Sequence, residues 1–373
     1  MSVLALSAVA SLLLALILGA SGVFTSPAAL HVAFAVGILP LIFGAMLHFV
    51  PVLTRTGAPY RLIAGLPFAA QATGVAVVLS IQGWLPRWLL HPTASIDLTL
   101  ACTLLGWIVF RARRTIGTPH PGVRWYMAAL FMLILALAVI PLYAAGVAPA
   151  ALRLFHLHAN TLGFIGLAAL GTLPVLLPTA LKLPDPQAAP WLRRRLLPAF
   201  AGVLLLALGA ATLWPLSVLG AAFLVAIALG LLAHWSKVFG FAAVVNDGPS
   251  TSLAAALFAL ILLLFVGVLH ASGLTSAQGM VFGFAAGFLL PLVTGALSQL
   301  LPVWRFSGVQ TPERLEMRQR LARCGRLRAV VFPVAGLIFV LGQNMGGTLA
   351  MALGLGLFLA DLFSALRVPP PAR

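Results

Sequence analysis

Eight histidines are the groups in this 373-residue chain best equipped for metal chemistry, since a neutral imidazole keeps one ring nitrogen lone pair for a ligand. Two of them open the same pattern. His31–Pro51 (HVAFAVGILPLIFGAMLHFVP), His158–Pro178 (HANTLGFIGLAALGTLPVLLP) and Phe282–Pro302 (FGFAAGFLLPLVTGALSQLLP) share a glycine at the fourteenth residue (Gly44, Gly171, Gly295) and a proline at the last. Pro40 and Pro291 match in two copies. The equivalent histidines are therefore His31 and His158. An imidazole inside a membrane span is costly without a partner, so each such histidine is a candidate for function. The structural alternative is a histidine that bridges helices by hydrogen bonding. His156 and His158, two residues apart on a helix, point about 200° apart and must serve different pockets. His31 and His48, about 25 Å apart along one helix, cannot share a site.

The elements that position these histidines follow from composition. Hydrophobic residues make up 62% and charged residues 8%, far from the roughly half-apolar balance of soluble domains. Runs of about 20 apolar residues span a bilayer as helices. Twelve such runs are expected, near 2–20, 28–53, 62–83, 95–111, 125–146, 151–180, 196–213, 216–235, 251–271, 277–303, 326–343 and 346–366. Gln343–Gly347 serves as the last turn. The patterned stretch is the second of each set of four, and self-similarity of this kind marks repeated structural units. The expected fold is an all-α membrane protein: one integral membrane domain, residues 1–373, of twelve transmembrane helices in three pseudo-symmetric four-helix repeats, about 1–124, 125–246 and 247–373.

With the N-terminus inside, 20 of the 22 Lys and Arg residues fall on the cytoplasmic side, the block Arg305–Arg328 among them. Only Arg87 and Arg153 stay outside. The positive-inside rule then places both termini in the cytoplasm, in a multi-pass protein of the bacterial inner membrane. The net charge of +16 needs no nucleic acid, because basic loops lie beside anionic headgroups. The first apolar run lacks a basic n-region and is longer than a signal peptide's core, so it reads as a retained helix. In this topology His31, His91, His156, His158 and His270 gather toward the outer face. Cys102 and Cys324 are too isolated for a zinc or disulfide framework. No GxGxxG, P-loop, HExxH or GxSxG pattern stands in a supporting context.

His31, Gly37, Gly44 and Phe49-Val50-Pro51 resemble the second helix of the catalytic subunit of haem–copper oxidases, and His156-Leu157-His158 resembles its His-x-His helix. A closer likeness is to NnrS-type membrane proteins, through His31…Gly44…Val50-Pro51…Thr56-Gly57 and His158-Ala159-x3-Gly163-x2-Gly166. The resemblance implies haem b, with copper as a further cofactor, and a role in nitric oxide and nitrosative stress or in respiratory redox. It makes His31 and His158 the expected axial pair. Their ring nitrogens would stand about 4 Å apart across an iron, from imidazole–metal bonds of about 2 Å. His156 would face a second pocket with His270 as its copper partner, and Arg153 and Arg87 would pair with haem propionates.

The chain also departs from these families. Its expected seventh helix holds no histidine for an oxidase copper centre, Phe282 replaces the repeated histidine, and only Asp97 and Asp361 are membrane acids. Proton-pumping oxygen reduction is therefore not expected. Pro178-Thr179-Ala180-Leu181-Lys182 stands where the NnrS-type glycine-rich tail would fall. Two other classes remain open: a transporter or permease with sites at proline-broken helices, and a cofactor-free assembly subunit. Expected partners are the lipid bilayer and redox or stress-response proteins. The topology is checked by cysteine labelling in intact cells. Cysteines placed in the loops carrying Arg111–Arg114 and Arg193–Arg195 should stay unlabelled from outside, and efficient outside labelling would invert the arrangement.

Overall fold

The computed structural model describes residues 1–369. It is all-helical, with no strand among those residues. Eleven helices among them are long and apolar enough to cross a membrane: α1 Ser2–Ala20, α2 Ser26–Thr54, α3 Arg61–Gln82, α4 Arg87–Arg113, α5 Gly122–Ala144, α6 Pro149–Leu181, α7 Ala188–Ala211, α8 Trp214–Phe239, α9 Gly248–Ala271, α10 Ala277–Arg305 and α12 Asn344–Leu366. Between the last two lies α11, Gly325–Val340, of 16 residues. At 1.5 Å per residue α11 is about 24 Å long, shorter than a hydrocarbon core of about 30 Å. The chain is an all-α, multi-pass membrane protein. It divides into two compact units. The first holds Val3–Gly171 and Ala189–Gly220, and the second holds Thr172–Ala188 and the chain from Ala221 onward.

Several boundaries differ from expectation. α4 starts eight residues earlier than the apolar run, because Arg87–Leu89 form a 3-10 turn that leads into it. α7 starts at Ala188, so Arg193–Arg195 belong to its first turns and not to a loop. The last turn is two residues earlier than Gln343–Gly347, since α12 already begins at Asn344. The stretch expected as a solvated loop holds a helix, Pro312–Ala322, whose N-cap Thr311 accepts a hydrogen bond from the Arg314 N–H. Arg328 is not a loop residue. It is fully buried in α11 and paired with Asp361.

The three patterned stretches share a local feature that sequence periodicity does not show. Each breaks into π-helix directly after its opening residues: Val32–Ile38 in α2, Ala159–Gly166 in α6 and Phe284–Leu289 in α10. π turns are rare and concentrate at functional positions. Each recurring glycine lies against the first turns of the preceding set-opening helix. A Cβ on Gly44 would meet Leu4 of α1 at 2.6 Å, one on Gly171 would meet Trp125 of α5 at 2.4 Å, and one on Gly295 would meet Ser252 of α9 at 2.9 Å. Small residues allow this backbone approach in membrane interfaces. Glycines of α3 and α11 grip the π segments of α2 and α10. A Cβ on Gly74 would sit 2.7 Å from the Ala35 carbonyl oxygen, and one on Gly336 would sit 2.7 Å from the Gly287 Cα.

Gly171→Ala should therefore destabilise the protein. The Trp125 Cβ is backbone-anchored and cannot swing away, and overpacking of this kind costs about 1–3 kcal/mol. Gly106→Ala, where an added Cβ meets nothing within 4 Å, should leave thermal unfolding in detergent unchanged. Equal melting temperatures for both variants would contradict the close approach.

Candidate functional site

α2 and α6 meet in the first unit, where the buried rings of Phe43 and Phe164 pack edge to face with centroids 6.3 Å apart. The histidines near the start of each helix are half-buried. The His31 Nδ1 lies 2.7 Å from the Pro27 carbonyl oxygen, and the His158 Nδ1 lies 2.8 Å from that of Leu154. Each acceptor is four residues back, so the two equivalent histidines make equivalent bonds. The His156 Nδ1 lies 2.8 Å from the Ala136 carbonyl oxygen of α5. A carbonyl oxygen only accepts, so in all three rings Nδ1 carries the hydrogen and Nε2 keeps the lone pair. Metal-ligating histidines commonly show this arrangement, with the second nitrogen tethered to fix tautomer and ring direction.

Asn160 completes the surroundings of His156. Its amide nitrogen donates to the His156 carbonyl oxygen at 2.8 Å. It also lies 3.4 and 3.3 Å from the two nitrogens of the His156 ring. An atom in the ring plane that near to both would collide with Cε1, so the amide sits over the ring face and not on the Nε2 lone pair. The His31 imidazole lies near enough to His156 for its charge to be felt there.

The remaining expected site residues are placed as follows. The His270 Nδ1 lies 2.9 Å from the Thr275 carbonyl oxygen, and His270 belongs to the second unit. Arg153 and Arg87 are exposed, and neither has an acidic partner among the described residues. Arg153 is three residues before His156, on the same helix face. Among the described residues no three His, Cys, Asp or Glu side chains group to hold a metal ion.

Two other histidines are held differently. The His120 Nδ1 accepts from the Gly122 backbone N–H at 3.2 Å, and the His234 Nε2 pairs with the buried Asp185 carboxylate at 2.8 Å. Sequence reasoning missed the polar support of the π segment in α2. The Gln71 amide of α3 donates to the Val36 carbonyl at 3.1 Å and to the Ser7 hydroxyl of α1. The available signal was a glutamine inside an apolar run, a polar group that must find partners in lipid. The Thr73 hydroxyl donates to the Asp97 carboxylate, joining α3 to α4.

Comparison of the chain with protein-family models finds no match, and comparison with curated proteins finds none either.

Burial, reinforced by the Arg193 guanidinium, holds the His120 imidazole below its ordinary 6.5. The folded state therefore resists a proton that the unfolded chain accepts, and this share of stability is present above 6.5 and fades as pH falls below it. The melting temperature should drop between about pH 6.5 and 5, the range set by an ordinary imidazole, and His120→Asn should flatten that drop. An unchanged slope in the variant would show that His120 does not carry it.

Proposed function

We propose that this chain is an inner-membrane haem-binding protein of the NnrS and haem–copper oxidase-like type. In this reading twelve spans form three four-helix sets, α1–α4, α5–α8 and α9–α12, with both termini cytoplasmic. The single observation that carries the reading is the shared tether of His31, His156 and His158. Each gives its Nδ1 hydrogen to a backbone carbonyl, as His270 does, whereas His120 and His234 do not.

These residues would suit a haem, which one or two side chains such as imidazoles can hold without a cluster of three ligands. His31 and His156 would hold it, the His31 imidazole lying near enough for a charge on it to act at His156. His158, on the opposite side of α6, would serve a second pocket. Arg153, on the His156 face, would pair with a propionate carboxylate. When bound, haem would supply reversible one-electron chemistry, with a potential set by the residues that hold it. The protein's part is to fix the two imidazoles in one tautomer and to surround them with apolar helix. This suits a role in nitrosative stress or respiratory redox.

The test is the visible spectrum of the protein purified from cells supplied with haem. Wild type should show the bands of a six-coordinate b-type haem. His31→Ala and His156→Ala should each abolish them, whereas His120→Ala should keep them. Loss in His31→Ala and His158→Ala, with His156→Ala unaffected, would move the axial pair to the two repeat-equivalent histidines. Wild-type protein without a haem spectrum, or bands that survive all three substitutions, would end the haem reading in favour of tethered histidines as helix–helix glue.

A further inference from the structure

The two units handle positive charge in opposite ways. All four ion pairs among the described residues lie in the second unit: His234–Asp185, Arg318–Asp247, Arg320–Glu316 and Arg328–Asp361. In the first unit the stretches 55–61 and 111–124 carry six arginines and no acid. The first unit's one carboxylate side chain, Asp97, is buried in α4 and takes the Thr73 hydroxyl. No carboxylate within these stretches neutralises the arginines.

Two orphaned donors lie in or beside the second stretch. Trp107 of α4 is 4% exposed, and its indole N–H has no acceptor among the described residues. One turn on, Arg111 folds its guanidinium back over that indole, 5.2 Å from the ring centroid. The Arg111 Nε–H is likewise buried without a partner among the described residues, while its Nη2 donates to the Ala58 carbonyl at 3.0 Å. Arg55 ties the neighbouring loop to the same end, its Nη1 donating to the Ile116 carbonyl at 3.3 Å. A buried N–H left unpaired costs about 1–3 kcal/mol, so two of them one turn apart beside uncompensated cations describe a site for an anionic acceptor. Trp107 is six residues inside the end of α4, about 9 Å at 1.5 Å per residue. That depth suits the interface where aromatic and basic side chains meet headgroups.

We propose that Trp107, Arg111 and Arg55 form a headgroup site for an anionic phospholipid, whose phosphodiester oxygens accept from the indole N–H and the Arg111 Nε–H. The proposal is independent of the haem reading.

The test is native mass spectrometry of the full-length protein in detergent, offered phosphatidylglycerol or phosphatidylcholine. Wild type should retain one phosphatidylglycerol well above phosphatidylcholine. Trp107→Phe keeps an aromatic face and every charge and removes the N–H together with the five-membered ring. It should lower that retention about tenfold, the equivalent of one charge-assisted hydrogen bond. Arg111→Lys, which keeps the charge and loses the guanidinium fork, should do the same, and Arg326→Gln in the second unit should not. A Trp107→Phe protein that retains phosphatidylglycerol as wild type does would overturn the site. So would equal losses in Arg111→Lys and Arg326→Gln, which would mean diffuse attraction. Inorganic phosphate that displaces the lipid at equimolar concentration, with the same dependence on Trp107, would overturn the lipid assignment.

Discussion

A bilayer offers a helix no water, so every backbone carbonyl must find its donor within the protein. This constraint shapes the region where α2, α6 and α10 turn from α to π geometry. A π turn shifts the amide ladder from the fourth residue back to the fifth, so the local pairing of carbonyls changes. Side-chain donors stand at that level. Gln71 reaches the Val36 carbonyl, His31 that of Pro27, and His158 that of Leu154. The bonds to Pro27 and Leu154 fix these imidazoles with Nδ1 as donor. Helices approach closely at this level, because Gly74 and Gly336 admit the wider π coil where a side chain would collide.

Charge obeys a parallel rule. In the second unit Arg328 is fully buried in α11 and meets Asp361 of α12, which also accepts from the Cys324 N–H at 3.0 Å. The guanidinium adds the Leu321 carbonyl at 2.9 Å and stands over the Phe358 ring. Such a pair contributes little net stability over an apolar replacement, yet removal of one partner strands a charge at about 3–5 kcal/mol. Its effect is to fix the register of α11 on α12. That suits α11, which at 16 residues has the least apolar surface with which to fix itself. The Arg318 guanidinium does similar work. It joins the Gln299 side chain, the Ala180 carbonyl and the Asp247 carboxylate at 2.7 to 2.8 Å, and Asp247 in turn caps α9.

Much of the fold was legible in the sequence because the bilayer imposes length and hydropathy on each span. The recurring glycines were readable in this way, whereas the break between α7 and α8 was expected at 214–215 and falls at 212–213. Helix ends were less so. Arginines that snorkel, such as Arg193–Arg195 and Arg111, sit inside helices while composition assigns them to loops. The π segments were invisible, since they use the same apolar and small residues as the α turns around them and differ only in hydrogen-bond register. In the candidate site the histidines stood out by type, but their tethers did not. The acceptors are backbone carbonyls, which every residue carries, and the approach of His31 to His156 depends on how α2 leans on α6. Arg328 with Asp361, 33 residues apart, needed the packing of α11 and α12 to be seen as a pair.

The third copy of the pattern separates what the fold requires from what chemistry would require. α10 keeps the π segment, the recurring glycine and the final proline, yet Phe282 stands where α2 and α6 have histidine. The Phe282 ring packs on Phe339 with centroids 5.3 Å apart and joins an apolar cluster with Ala286 and Ala335. The π turn therefore does not depend on an imidazole at its start, and an aromatic hydrocarbon fills that position without any polar tether. Histidine at the same position in α2 and α6 brings a desolvated polar ring that must be compensated by a carbonyl, and the hydrocarbon in α10 avoids that cost. A scaffold that folds with phenylalanine has no packing reason to carry histidine in the other two copies. This contrast between equivalent positions, where the same backbone is built once without an imidazole and twice with one, stands beside the shared tether as a reason to read His31 and His158 as more than packing residues.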